Sequence, residues 1–135
     1  MPYHTNKKPV IFGNIRYEIK DGIVYIERLE RVQFGVERLR KSIEHRIEYM
    51  EGVSYPVIIF GHEMISMDKP SRDFLAGDGS KNTLSRAFVT EKSQGKWQLN
   101  FFVNIYKQSV PIQIFESLEP AIEWSKQFKQ RDLEN

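Results

Sequence analysis

The tract SYPVIIF, residues 54–60, constrains the fold more than any other part of the chain. It is a short run of β-branched and aromatic residues without polar alternation, which is typical of a strand covered on both faces. Such a strand lies in the centre of a sheet that has helices packed on it. The sequence therefore predicts an α/β domain.

The tract IRYEIKDGIVYIERL, residues 15–29, predicts an antiparallel hairpin. Ile15, Tyr17 and Ile19 alternate with polar residues, and the alternation resumes at Ile23 after an Asp-Gly pair. Asp-Gly readily takes the positive φ angles of a type I′ turn. The hairpin adds antiparallel pairing, so we expect the sheet to be mixed.

The remaining elements alternate between helix and strand, which indicates parallel pairings with right-handed crossovers. We expect one domain over residues 1–135, with a core at about 15–128, flexible termini and a mixed sheet of four or five strands. Residues 96–106 fit both a strand and a helix. The other predicted elements are a helix over 36–50 that ends at Gly52, a short helix after residue 71, strands over 85–91 and 110–117, and a last helix that begins at Ser117.

Composition narrows the class of protein further. The 135 residues carry a net charge of +2 and no cysteine, so cysteine zinc sites and cysteine nucleophiles are excluded. The three histidines lack the spacing of a helical metal site, and we expect no cofactor. No stretch resembles a secretory signal or a membrane span. We therefore expect a cytoplasmic protein without a transmembrane segment.

Three local patterns carry a resemblance to a known family. They are DGIVYI, the pair EGVSYPVIIF and KPSRDFLAGDG, and the ending VPIQIFESLEPAIEWSKQF. Together with the order of elements, they resemble the STAS superfamily, founded by the sporulation anti-anti-sigma factors. More closely, they are similar to a small bacterial group of uncharacterised STAS-like proteins. The resemblance implies a helix over 96–106 and a regulatory domain that binds a partner rather than performing chemistry.

The segment ISMDKPSRDFL, residues 65–75, holds the site that the resemblance implies. In the founding members a turn reading Asp-Ser-Ser-Gly carries a serine whose phosphorylation switches partner binding. Here Asp68 matches the acid, and Pro70 stands at the position of the switch serine. The resemblance implies partner contacts at Asp68, Lys69, Ser71 and Arg72, and phosphorylation of Ser71 if the turn is shifted by one residue. The alternative is that Asp68 only caps the following helix.

Other classes of function find less support. His62, Glu63 and Asp68 are close enough in sequence to supply an acid and a base, but no nucleophile elbow or phosphate loop accompanies them, so we expect no enzyme. The helix over 36–50 has basic residues, among them Arg38, Arg40, Lys41 and Arg46, but its glutamates offset them, so we expect no nucleic acid partner.

The function we expect is recognition of a protein partner without catalysis. The aromatic residues of the segment 96–106 exceed what one sheet face can bury, which suggests a homodimer or a lipid-like ligand there. A carrier or sensor of a small apolar or anionic ligand is therefore the second hypothesis. A small enzyme that uses the turn at 62–71 is the third.

Overall fold

Six β-strands form one sheet whose spatial order is their order along the chain. The computed structural model describes residues 3–30, 35–62, 69–90 and 110–130. The strands are β1 (Lys7–Phe12), β2 (Ile15–Lys20), β3 (Ile23–Arg28), β4 (Tyr55–Gly61), β5 (Thr83–Val89) and β6 (Ile112–Phe115), and the helices are α1 (Val36–Tyr49), α2 (Lys69–Ala76) and α3 (Leu118–Ser125).

The sheet is mixed, as the sequence predicts. β1, β2 and β3 pair antiparallel, whereas β3, β4, β5 and β6 pair parallel. The expected count of four or five strands is wrong, because residues 7–12 form a further strand at one edge. Pro9 and two lysines hide this strand in the sequence, and an edge strand tolerates both because one row of its backbone groups has no partner strand.

The predicted hairpin turn has the expected geometry. Asp21 and Gly22 both have positive φ, at 52° and 75°, and Lys20 faces Ile23 across the turn. Two successive positive φ angles define the type I′ turn, whose twist matches that of the flanking strands. This turn fixes the register in which Ile15, Tyr17 and Ile19 all face the core.

Helices cover the two faces of the central strands. α3 packs on β4, β5 and β6, and Ala121 of α3 joins a core that includes Ile23, Ile58 and Ala87. α1 and α2 cover the opposite face and contact each other. The prediction that residues 54–60 form a strand with both faces covered is therefore confirmed.

Two predictions fall outside the described residues. One is the helix over 96–106, with its aromatic residues; the other is Asp68 as the cap of α2. At the last helix, Ser117 occupies the predicted N-cap position with extended backbone. In the described part of the chain no helix is long and apolar enough to cross a membrane.

Candidate functional site

The prediction that Lys69, Ser71 and Arg72 lie in a turn before the helix is wrong, because α2 already begins at Lys69 and includes all three. Lys69 is exposed and pairs with Asp73 one helical turn later, at 2.9 Å between Nζ and Oδ2. Arg72 is half-buried, whereas Ser71 is completely buried, with 0% of its surface exposed. A kinase needs access to the hydroxyl, so phosphorylation of Ser71 would require α2 to open. Asp68 lies outside the described residues.

The residues weighed for catalysis do not form a described site. His62 is exposed at the end of β4, and Glu63 lies outside the described residues, as Asp68 does. Within the described ranges no cluster of three or more histidine, aspartate or glutamate side chains could hold a metal ion. These residues therefore do not define a functional site in the part of the chain that the structure describes.

A cavity of about 70 Å³ lies between the sheet and the two helices α1 and α2. Its walls are mainly apolar, and they also carry three arginine side chains. None of the residues that line it in the described part of the chain is an aspartate or a glutamate. The lining residues are Ile15, Tyr17, Ile26, Arg28, Leu39, Ser42, Ile43, Arg46, Ile59, Leu75, Arg86 and Phe88.

Arg46 is the most unusual of the lining residues. Its side chain projects from α1 toward the sheet, and the residue is only 6% exposed. Nε and Nη2 are buried and have no hydrogen-bond partner in the described structure. Burial lowers the pKa of Arg46 to about 10, because removal from water disfavours the charged form. At neutral pH the group remains charged.

Arg86 is also buried, but both of its terminal nitrogens have partners in the protein. From β5 its Nη1 donates to the carbonyl of Leu75 at 3.2 Å, and its Nη2 donates to the carbonyl of Gly79 at 3.2 Å. The guanidinium therefore holds the C-terminal end of α2, where the helix dipole favours a cation. Burial, together with the nearby positive charge of Arg46, lowers the pKa of Arg86 to about 9.

Arg28 completes the group of three arginines from the end of β3. Its Nε donates to the backbone carbonyl of His62, so it ties β3 to the end of β4. Arg28 is 9% exposed. The cavity thus collects three arginine side chains from β3, α1 and β5 against apolar walls. The buried charge of Arg46, whose Nε and Nη2 have no partner, favours a negatively charged ligand.

This site is not among those predicted from the sequence, although the positions of Arg46 and Arg86 in their elements indicate it. Arg46 lies three residues after Ile43 and four before Met50, and both of these residues are buried. Arg86 lies two residues before Phe88, which places both on the same face of β5. Each arginine therefore occupies an inward position of an amphipathic element. Counting charges along α1 instead groups Arg46 with Arg38, Arg40 and Lys41.

Comparison with known proteins places the chain in a family. Residues 17–129 match the family model described as a domain of unknown function, DUF7793, and the chain belongs to this family. No curated protein and no solved structure matches significantly. All three arginines of the cavity lie inside the matched residues.

Proposed function

We propose that the protein is a cytoplasmic binding module, without catalysis, that carries or senses a small anionic ligand in the cavity between α1, α2 and the sheet. A single observation carries the proposal: Arg46 is buried at the cavity with two donors that have no partner in the described structure. The proposal takes the second of the three functions expected from the sequence and gives it a site.

A buried charge without a partner lowers the free energy of unfolding of a fold. Moving an ion from water into the interior costs several kcal/mol even after the surroundings relax. A methionine at position 46 would fill a similar space without that cost. The cavity therefore has the properties of a site whose charge is balanced by something that binds.

Water alone could accept the hydrogen bonds of Arg46 but could not balance its charge. A cavity of about 70 Å³ admits several water molecules, since one requires roughly 10–15 Å³. Water can accept the hydrogen bonds of Nε and Nη2, but it carries no charge to balance Arg46. An anion supplies both the acceptors and the counter-charge.

The dimensions of the cavity favour a small ligand over a lipid-like one. Its volume is roughly half of the ~150 Å³ that accommodates a benzene molecule in an engineered cavity. An acyl chain of lipid length needs far more space. The apolar walls, which include Ile26, Ile59 and Phe88, match a short apolar portion attached to the anionic group.

The test is a thermal unfolding screen against small anions, with total ionic strength held constant by chloride. Binding at a hundred times Kd adds about 2.7 kcal/mol of stability, which raises Tm by several degrees in a domain of this size. We expect at least one anion to raise the Tm of the wild-type protein. The Arg46→Met variant removes the charge at the cavity and should lose this rise.

Arg38→Met is the matched control, because Arg38 is exposed on the same helix and the substitution changes the net charge equally. This variant should keep the full rise in Tm. If no anion stabilises the wild-type protein more than Arg46→Met, the proposal is wrong. Equal loss of the rise in both variants would indicate a general charge effect and would also contradict it.

A second candidate function is recognition of a protein partner through the exposed face of α2. The supporting observation is that Arg86 connects this helix to the cavity by one hydrogen bond to Leu75 in its last turn and one to Gly79 just after it. Lys69 and Arg72 supply the surface. Substituting both by glutamate should reduce partner recovery from the native host relative to wild type, and unchanged recovery would argue against this surface.

The STAS-like relationship remains part of the proposal, supported by the order of elements from the hairpin to the last helix. In this relationship the ligand cavity and the partner-contact residues Lys69, Ser71 and Arg72 both involve α2. A homodimer is an additional proposal that native mass spectrometry would test, and a monomer at micromolar concentration would refute it.

A further inference from the structure

Arg46 presents its two unpartnered donors in a defined geometry. Nε and Nη2 lie on the same edge of the planar guanidinium, so their N–H bonds point in nearly parallel directions. This edge forms a two-pronged fork. A ligand that fits it must offer two acceptor oxygens side by side, which a carboxylate and a phosphate do and a single hydroxyl or halide does not.

Arg86 and Arg28 already donate hydrogen bonds to the protein. The terminal nitrogens of Arg86 donate to Leu75 and Gly79, and Nη2 also lies 3.4 Å from Oγ of Ser80. Arg28 donates through Nε to the carbonyl of His62. These hydrogen bonds of Arg86 and Arg28 serve the fold. Among the described side chains that line the cavity, Arg46 is the one whose buried donors have no partner.

A phosphate group suits this arrangement poorly. It carries about −1.5 to −2 charges at neutral pH and three strong acceptor oxygens, which need more donors than one fork supplies. A carboxylate carries one charge and two oxygens, so one guanidinium edge satisfies most of its needs. The apolar walls disfavour further polar groups on the ligand.

Resting on the proposed function, we propose that the ligand is a short-chain monocarboxylate, gripped side-on by Nε and Nη2 of Arg46 with its apolar chain against Ile26, Ile59 and Phe88. A cavity of about 70 Å³ holds roughly five water-sized spheres, which corresponds to an acid of about two to four carbons. A ligand of this size binds at best with micromolar affinity, given about −1.5 kcal/mol per heavy atom.

The test is a titration followed by amide chemical shifts in two-dimensional NMR, with sodium propanoate, propanamide and inorganic phosphate as probes at constant ionic strength. Propanamide keeps the shape of propanoate but has no charge. We expect propanoate to bind at least about tenfold more tightly than either of the other two, because charged hydrogen bonds contribute about 1.5–3 kcal/mol. Phosphate binding as tight as that of propanoate would overturn the proposal.

The variant that isolates the fork is Arg46→Lys, which keeps the charge but replaces two parallel donors by one ammonium. It should weaken propanoate binding by about tenfold or more. Arg38→Lys on the exposed side of α1 should leave the affinity unchanged. Affinity retained in Arg46→Lys would show that charge alone is recognised, and the side-on grip would be wrong.

Chain length provides a readout that needs no variant. In the wild-type protein, affinity should rise from acetate to butanoate and fall for octanoate. An affinity that continues to rise through octanoate would indicate a lipid-derived ligand and overturn the size argument. Binding of phosphate that depends on Arg46, without binding of any carboxylate, would overturn this inference and leave the proposed function standing. If no anion binds, both fail.

Discussion

The two faces of the central sheet are closed in different ways. On the α3 face, Ile23, Ile58, Ala87 and Ala121 form an apolar cluster with half-buried neighbours such as Trp124. On the α1 and α2 face, the same strands contribute to a cavity into which arginines project. Ile58 and Ile59 are neighbours in β4, yet Ile58 packs in the apolar cluster and Ile59 lines the cavity.

The difference shows that covering this sheet does not require charge. The α3 face is closed with apolar side chains and small hydroxyls such as those of Ser85 and Ser125, which are far less costly to bury than a guanidinium. Arg46, unlike Arg28 and Arg86, makes no hydrogen bond through its buried Nε and Nη2, so the architecture does not require its charge. We therefore relate Arg46 to the proposed binding.

The first way to sharpen this comparison is to truncate the two neighbouring isoleucines of β4. Ile58→Ala should lower the free energy of unfolding by about 2–5 kcal/mol, because Ile58 is completely buried in close packing. Ile59→Ala should cost less, since Ile59 already borders a cavity and loses fewer contacts. Urea denaturation of both variants measures the difference.

The substitution is the same and the two residues are adjacent in sequence, so each variant serves as the control for the other. Equal losses would mean that the α1 and α2 face is packed as densely as the α3 face. The cavity would then not exist in solution, and the distinction between the faces would disappear.

The second prediction concerns Arg46 and Arg86, which should respond with opposite sign to the same substitution. Arg86→Met should destabilise the protein by about 1 kcal/mol or more, because the carbonyl of Gly79, three residues after the end of α2, loses this donor. Arg46→Met should stabilise the unliganded protein by about 1 kcal/mol, because an unpaired charge leaves the interior. Urea denaturation without added anion gives both values.

The stabilisation in Arg46→Met should depend on pH. Burial lowers the pKa of Arg46 to about 10, well below its ordinary value, so between the two values the unfolded wild-type chain binds more protons than the folded one. Wild-type stability then gains with rising pH in that window. The gain in the free energy of unfolding from Arg46→Met should have its full size below about pH 10 and should decrease above it. A destabilised Arg46→Met at neutral pH would assign Arg46 a structural role.

Much of the fold follows from local patterns that physical chemistry makes strong. The Asp-Gly turn, the unbroken apolar tract of β4 and the Ser117 position each depend on neighbouring residues alone. β1 was missed because its six residues contain Pro9 and two lysines, which suit an edge but weaken the strand pattern.

The site was harder to predict because it depends on contacts between distant elements. Sequence periodicity places Arg46 on the inward face of α1, yet it does not reveal whether a carboxylate will meet it there. That requires knowing that β3, β5 and α2 also bring no acidic residue to the cavity. His45 illustrates the same limit: it stacks on Phe12 of β1, with ring centroids 4.2 Å apart, and this contact cannot be predicted without β1.

The matching of spatial order and chain order in the sheet has a consequence for how the molecule is made. During synthesis each strand emerges beside its predecessor, so pairing can advance from the N-terminal edge while the rest of the chain is still missing. The side of β3 and β4 that faces Arg46 then stays hydrated until α2 and β5 arrive. The electrostatic cost of burying Arg46 is consequently deferred until α2 and β5 have been made.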